Sequence, residues 1–328
     1  MLKYIVKRFL WSLLDLLIIV TITFILTYLL PGDPARTIAG PHATVADVLR
    51  IRRQLGLDAP LYTQYFRYLG NLLHLNLGTS IEFGTPVLAA ILSKFPATAT
   101  LAIMGVIWEV VLGLPLGIGS ALRRGGTLDR ISSYASMAAI AMPQFWIGII
   151  LLFIMAFKYH LFPLGGYGNP VLWYAFLPGL TLGIGGAAYY QQLIRSRILE
   201  ILPQQYVTTA RAKGLSEWQV VMRHVMPQVL TTLVTQLGMD AGYFMAGVVV
   251  VETVFGWPGI GLQAWTAIKA LDVPLVMGTV LFGAFWIIMA NFVVDSVYGL
   301  LDPRIRSRCG YRTEPTHSTV QCLVLFYY

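Results

Sequence analysis

Charged residues are scarce in this sequence of 328 residues. Asp, Glu, Lys and Arg together make up 12% of the chain, whereas they make up about 25% of a typical soluble domain. Hydrophobic residues make up 57%, and the mean hydropathy is +0.69. This composition excludes an ordinary soluble globular protein and predicts an integral membrane protein.

Cysteine and the common catalytic motifs are also lacking. The two cysteines, Cys309 and Cys322, stand near the C-terminus, so no structural disulfide is expected in the body of the chain. We find no Gly-x-x-x-x-Gly-Lys-[Ser/Thr] phosphate loop, no His-Glu-x-x-His metal motif and no nucleophile elbow. We therefore expect neither an enzyme nor a bound cofactor or metal.

Six apolar stretches are long enough to cross a hydrocarbon core, which needs about 20 residues at about 1.5 Å rise each. The first is too long for a cleaved signal peptide. The sequence therefore predicts an all-α integral membrane protein with six transmembrane helices. The predicted spans are 9–30, 97–121, 131–157, 172–193, 229–251 and 276–300.

Several glycines inside these spans predict close helix packing. Gly113 and Gly117 have the GxxxG spacing that lets two membrane helices approach each other. Gly183 and Gly185 resemble part of a dinucleotide-binding fingerprint, but they lie within a predicted span and not at a strand–turn–helix unit. We interpret all four as packing residues.

Lys and Arg are distributed unevenly among the connecting segments. Fifteen of them flank the N-terminus, the second-to-third and fourth-to-fifth connections and the C-terminus, whereas the two short opposite loops hold only Lys158 and Lys269. Since cytoplasmic segments carry the basic excess, we expect a multi-pass membrane protein with both termini in the cytoplasm. The net charge of +8 then reflects anionic lipid, and no nucleic acid partner is expected.

The segment over 31–96 is predicted to form a small helical cap on the outer face. Thr44 and Asp47 have the spacing of a capping box ahead of a helix over 45–55, and residues 58–60 begin a second helix. The remaining boundaries are an N-terminal transmembrane helix over 1–30, a core with five spans over 97–305 and an atypical C-terminal tail over 306–328.

The connection between the fourth and fifth spans predicts a helical hairpin outside the bilayer. A helical run over 205–213 ends at Gly214, a natural C-cap, and Ser216 with Gln219 makes a capping box for a second helix that Pro227 interrupts. Small residues at the bend allow close approach to another protein. The neighbouring basic residues can pair with acidic groups of that protein. An amphipathic helix pair resting on anionic headgroups explains the same pattern.

These residues resemble a known family. The spacing of Thr208, Ala210, Gly214 and Pro227 is similar to the EAA signature of permease subunits of ATP-binding cassette importers, in which this hairpin docks into the ATP-binding subunit. Thr208 stands where that signature has an acidic residue. Further matches to the dipeptide, oligopeptide and nickel branch are Tyr206–Gly214, Pro31–Pro34, Leu55–Asp58, Pro96–Thr98, Glu252–Leu262 and Leu300–Arg304, with Asn76 departing from a frequent Asp.

The resemblance implies a permease subunit of a prokaryotic inner membrane that forms half of a translocation pathway for dipeptides or oligopeptides. It implies ATP-binding cassette subunits that use the ATP, a second homologous permease, an extracytoplasmic solute-binding protein and membrane lipid as partners. The alternatives are the same machinery importing nickel, metal chelates or glutathione, and a secondary transporter, whose inverted repeats are not evident. The coupling residues that the resemblance implies are Thr208, Thr209, Ala210, Arg211, Lys213, Gly214 and Pro227.

Acidic residues inside the predicted spans are candidates for a solute path, because a charge in a bilayer is costly and faces a cavity or a partner. Each of them can instead pair with a neighbouring helix and lock the packing. We interpret Asp15 and Asp295, in the first and last spans, as structural. The candidate path residues are Glu109, Gln236, Asp240 and Glu252.

Overall fold

The computed structural model describes residues 2–29, 35–36, 43–55 and 58–301. The Pro31–Pro34 motif and the C-terminal tail lie outside the described residues. Within them, regular structure is helical apart from one isolated bridge between Thr79 and Pro86. The helices are α1 Leu2–Leu29, α2 Val45–Leu55, α3 Leu61–Leu73, α4 Val87–Leu122, α5 Thr127–Ala141, α6 Gln144–Leu151, α7 Val171–Ile201, α8 Gln205–Ala212, α9 Glu217–Val220, α10 Met226–Met245, α11 Val249–Val254, α12 Ile260–Lys269 and α13 Val273–Leu301; π-helical turns follow α6 (Leu152–Lys158) and α9 (Val221–Val225).

Four of these helices are long and apolar enough to cross a bilayer. They confirm that the chain is an all-α membrane protein. The bent pair α5–α6 provides a fifth crossing if it acts as one broken span. The four helical segments are Ile5–Leu26, Val87–Leu122, Val171–Ile201 and Val273–Ser296.

The third predicted span, 131–157, is not one continuous helix. α5 ends at Ala141, and the two helices differ in direction by 107°. Pro143 lies at the break and holds Met142 in an extended conformation, with ψ 133°, because the proline ring disfavours a helical residue before it. Hydropathy averaged along the chain does not register this change of direction.

The fifth predicted span, 229–251, is interrupted as well. α10 ends at Met245, and the chain turns at Gly247, where φ is +106° and an added Cβ would lie 2.9 Å from the Gly261 amide nitrogen. α10 carries Gln236 and Asp240 and is not among the four helices that are long and apolar enough to cross a bilayer. Six complete spans therefore stay a prediction.

α4 begins ten residues before the predicted span at 97 and is 36 residues long. At about 1.5 Å rise, it is about 54 Å long, whereas the hydrocarbon core is about 30 Å thick. Its first turns, which the sequence assigned to the cap over 31–96, are held by burial: Val87 and Ile91 are fully buried and pack with Leu275.

The cap helices have the predicted form. α2 spans residues 45–55, and its capping box is confirmed: the Asp47 amide donates to Thr44 Oγ1, and the Thr44 amide donates to the Asp47 carboxylate, both at 3.3 Å. The Thr44 hydroxyl, which also donates to that carboxylate, holds the pKa of Asp47 below its usual range. α3 packs on α1 through Tyr65 and Phe24, whose ring centroids are 5.2 Å apart.

α4 and α7 form the most extensive helix contact among the described residues, and glycines make their close approach possible. An added Cβ at Gly113 would lie 2.9 Å from the Ala187 carbonyl oxygen, and one at Gly117 would lie 3.1 Å from the Gln191 carbonyl oxygen. Gly183 is equally close to the backbone of α4. The packing prediction is confirmed at these three positions.

A matched pair of substitutions tests this glycine-lined contact between α4 and α7. In Gly183→Ala, the new methyl group would lie 3.1 Å from backbone atoms of Gly105 and Glu109, whereas in Gly185→Ala it would meet nothing within 4 Å. We expect Gly183→Ala to destabilise the protein by about 1–3 kcal/mol through overpacking and Gly185→Ala to be neutral. The measurement is the temperature at which heating in detergent removes half of the monodisperse peak in size-exclusion chromatography. Equal midpoints for the two variants would contradict the role of this contact.

Candidate functional site

The segment between α7 and α10 folds into the predicted helical hairpin. The chain reverses after α8 at Gly214, where φ is +84°, a conformation that favours glycine. The Ser216 hydroxyl accepts from the Gln219 amide at 3.4 Å, and the Gln219 side chain accepts from the Ser216 amide at 3.1 Å, which confirms the capping box. Pro227 lies in the first turn of α10, directly after the π-helical turn. A proline is tolerated in a first turn, so the chain stays helical through Pro227 and the predicted interruption there does not occur.

The inner face of the hairpin packs tightly against the ends of two long helices. Val207 and Val220 are fully buried and Ala210 is 5% exposed, and they form one apolar cluster with Ile198 of α7 and Val229 of α10. Because close-packed interiors transmit displacement with little compression, a movement of the hairpin must also move α7 and α10.

Six of the seven predicted coupling residues lie on the outer face of the hairpin, and Ala210 is buried. Arg211 is already paired within the hairpin: its Nε lies 2.8 Å from Glu217 Oε1, and its Nη2 lies 3.1 Å from Glu217 Oε2. This two-pronged ion pair closes the bend, and the pairing of Arg211 with another protein stays a prediction. The exposed coupling residues are Thr208, Thr209, Arg211, Lys213, Gly214 and Pro227.

Three of the four candidate path residues meet around Tyr190 of α7. The Tyr190 hydroxyl donates to the Asp240 carboxylate, and the Gln236 amide nitrogen lies 3.5 Å from the other Asp240 oxygen. Glu109 of α4 is 2% exposed and interacts electrostatically with Asp240. Among the described residues, no donor bonds Glu109 Oε2. Sequence reasoning missed Tyr190, because a tyrosine in an apolar helix has the appearance of an ordinary packing residue.

Glu252, the fourth candidate, has a different role in this structure. Its carboxylate is fully buried and accepts from Thr98 Oγ1 at 3.0 Å and from the Leu262 amide at 2.7 Å. Thr98 Oγ1 in turn accepts from the Ile260 amide at 2.8 Å. These bonds tie α11 and the start of α12 to α4, which gives Glu252 a structural role in this conformation. Its assignment to the path stays a prediction.

A further buried carboxylate, Asp272, was not among the predicted residues. Its Oδ2 accepts from the Ser80 hydroxyl at 2.5 Å and from the Glu82 amide at 3.1 Å. Its Oδ1 accepts from the Leu275 amide at 3.2 Å at the start of α13. An Asp just ahead of a Val-Pro pair is an N-cap signal, and it could have identified this residue.

The acids of the first and last spans differ from each other. Asp295 of α13 forms an ion pair with Arg8 of α1, which confirms the structural interpretation. Asp15 is exposed on α1, so its structural interpretation stays a prediction. No cluster of three or more metal-ligating side chains occurs in the part of the chain that the structure describes.

Two family profiles match the chain. The family described as binding-protein-dependent transport system inner membrane component matches residues 113–307, and the N-terminal family of the membrane components of such systems matches residues 1–102. Together they leave only residues 103–112 and the end of the chain unmatched.

Curated relatives resemble the chain over nearly its whole length. The probable D,D-dipeptide transport system permease protein DdpB of Escherichia coli K12 is 39% identical over 311 residues, which cover 87% of this chain and 92% of the relative. The glutathione transport system permease protein GsiC of Salmonella paratyphi A is 37% identical over 307 residues, which cover 93% of this chain and 99% of the relative.

A solved structure of the MetNI methionine ABC transporter in an inward-facing conformation has a similar fold. Its TM-score is 0.52 at 16% identity, and the match covers 66% of this chain and 97% of that chain. At this identity the likeness shows the fold alone.

The bonds of Glu252 can be tested with two neighbouring threonines. Thr98→Val removes a donor from the buried Glu252 carboxylate and an acceptor from the Ile260 amide, and each buried group left unpaired costs about 1–3 kcal/mol. Thr100→Val removes only a bond to the Pro96 carbonyl of its own helix. We expect a clear loss of thermal stability in detergent for Thr98→Val and little change for Thr100→Val. Equal stability of the two variants would refute the structural role of Glu252.

Proposed function

The chain belongs to the binding-protein-dependent transport system inner membrane component family, and we propose that it is a permease subunit of an ATP-driven importer of short peptides. It is a multi-pass inner membrane protein. The relatives named above transport D,D-dipeptides and glutathione, and both kinds of cargo are short peptides. Their names favour peptide import over nickel, other metal chelates or secondary transport.

The observation that carries this proposal is the geometry of the hairpin. Its inner face is buried against α7 and α10, and its outer face presents small and hydroxyl side chains together with the charged Arg211 and Lys213 around Gly214. An element that is exposed on one side and packed into two long helices on the other suits the transfer of motion from a docked subunit. We infer that ATP-binding cassette subunits contact this outer face and use the ATP.

The same geometry supports the proposed orientation. Gly105 faces Leu182 and Gly117 faces Ile194, so α4 and α7 run in the same direction. Ala121, near the end of α4, belongs to the hairpin cluster, whereas Thr98, near its start, belongs to the Glu252 network. The two sites therefore lie at opposite ends of the helix pair. We assign the hairpin end and both termini to the cytoplasm, which agrees with the distribution of Lys and Arg.

The other parts of the machinery follow from this arrangement. We propose six spans in the membrane, with a second homologous permease forming the other half of the path and a solute-binding protein delivering peptides to the outer end. Closure of the ATP-binding subunits would then move the hairpins together and exchange inward-open for outward-open states, driven by the preference of ATP for one state.

Three polar residues between the two ends are our proposed path contacts. Glu109, Gln236 and Asp240 belong to helices α4 and α10, which move relative to one another if the hairpin moves α10. A peptide ammonium group is attracted to carboxylates in a low-dielectric environment. Because Glu109 is almost completely buried in this conformation, we infer that the contact forms only after rearrangement.

Co-purification tests the class and the cargo together. The tagged chain is isolated from native membranes in mild detergent, its partners are identified by mass spectrometry, and ATPase activity is measured with and without a peptide digest. We expect ATP-binding subunits, a second permease and a binding protein, with hydrolysis stimulated by peptides. A stable chain without ATPase partners would refute the importer, and partners without peptide stimulation would refute the cargo.

Substitution of Gly214 tests the coupling surface. An added Cβ would meet nothing within 4 Å, so the indole of Gly214→Trp points outward and should separate the hairpin from the ATP-binding subunit. We expect uptake per ATP hydrolysed to fall about tenfold or more, which corresponds to about 1.4 kcal/mol of lost coupling. Gly214→Asn is the control, because asparagine tolerates the left-handed conformation with a small side chain. Normal uptake in a well-expressed Gly214→Trp variant would contradict this contact.

A further inference from the structure

A cleft with several polar residues in a mainly apolar wall lies at the end of α4 opposite the hairpin. It has a volume of about 470 Å³ and opens between the first turns of α4, the loop before them, and α12. This volume is within the range of about 300–1,000 Å³ that is usual for small-molecule sites. The polar residues of its wall are Thr85, Ser93, Lys94, Gln263 and Thr266.

Two of these residues carry unused binding capacity. Lys94 contributes an ammonium group, and among the described residues no carboxylate lies within ion-pair distance of it. Gln263 is 8% exposed, and its amide oxygen is buried with no donor in the part of the chain that the structure describes. A buried acceptor without a donor is unfavourable by about 1–3 kcal/mol, so it points to a missing partner.

The rest of the wall supplies no competing negative charge. The Ser93 hydroxyl donates to the Ala90 carbonyl at 2.7 Å, and the Thr266 hydroxyl donates to the Leu262 carbonyl at 2.9 Å, so both are neutral groups bonded to their own helices. The Glu252 carboxylate lies behind Gly259 and is occupied by its own donors. Among the described residues of the wall, Lys94 is therefore the one charged group, and the other polar groups are neutral.

We propose that this cleft is an entry subsite for short peptides, in which Lys94 binds the C-terminal carboxylate and the Gln263 side chain turns into the cleft so that its buried amide oxygen accepts a peptide N–H. A carboxylate and an N–H donor a few bonds apart are what every free peptide contains. The proposal rests on the proposed peptide import and adds to it the group by which the permease recognises its cargo. Neutral side chains elsewhere in the wall leave the peptide's own side chains unselected.

A thiol at the rim of the cleft reports directly on its occupancy. In a background with Cys309→Ser and Cys322→Ser, Thr266→Cys is introduced into the purified importer complex without its binding protein, and its rate of reaction with a small maleimide is measured. We expect millimolar alanyl-alanine to slow the labelling about tenfold. This corresponds to about 90% occupancy of a single site that blocks the thiol. Alanyl-alanine amide, which lacks the carboxylate, should not slow it.

Lysine variants identify the group responsible. Lys94→Met should abolish the protection by alanyl-alanine, and Lys94→Arg should retain it. Lys269→Met is the matched control. Lys269 lies on α12, the helix that carries the Thr266 probe, but it packs over Trp265, outside the cleft wall. Protection that persists in Lys94→Met, or that the peptide amide gives equally, would overturn the proposal.

Two further results separate this proposal from others. Protection by peptide-free binding protein alone would make the cleft a protein-docking surface and would also overturn the subsite. Uptake of labelled alanyl-alanine by the wild-type complex is measured in parallel. Uptake without protection of the thiol would refute only the entry subsite, whereas a complete lack of peptide uptake would refute the proposed cargo itself.

Discussion

The close approach of α4 and α7 is the contact on which the other features of this permease depend. Within a bilayer, helices gain little from burying apolar side chains, so packing depends on how closely their backbones can meet. Glycines at 113, 117 and 183 allow that approach. The paired helices then place the Glu252 network at one end and the hairpin at the other, and a rigid pair of this length can connect events on the two sides of a membrane.

Three buried carboxylates near this pair have different roles because their surroundings differ. Glu252 and Asp272 accept hydrogen bonds from backbone amides and hydroxyls and hold loops to helices, as ordinary buried polar groups do. Glu109 instead has an oxygen without a donor among the described residues. We propose that incomplete hydrogen bonding distinguishes a residue available to a solute from one committed to the fold.

Bonds within the hairpin and packing against the long helices hold the hairpin rigid. The Arg211–Glu217 pair closes its bend, the Ser216 capping box fixes its second helix, and Val207 and Val220 anchor it to the long helices. Thr208 stands where the EAA signature has an acidic residue, so the contact that we propose with an ATP-binding subunit has a hydroxyl group and not a carboxylate at that position.

Much of this protein can be predicted from its sequence alone. Hydropathy identifies the long spans, capping spacings identify α2 and the hairpin, and glycine spacing identifies the helix contact, since each of these features depends on residues close together in the chain. The break at Pro143 is a local effect of the proline ring that hydropathy averaging does not register. The interrupted fifth span, the early start of α4 and the roles of Glu252, Asp272 and Tyr190 were decided by tertiary structure. Each depends on groups far apart in sequence, as Thr98 and Glu252 are, and whether a buried carboxylate is satisfied depends on which donors the fold brings to it.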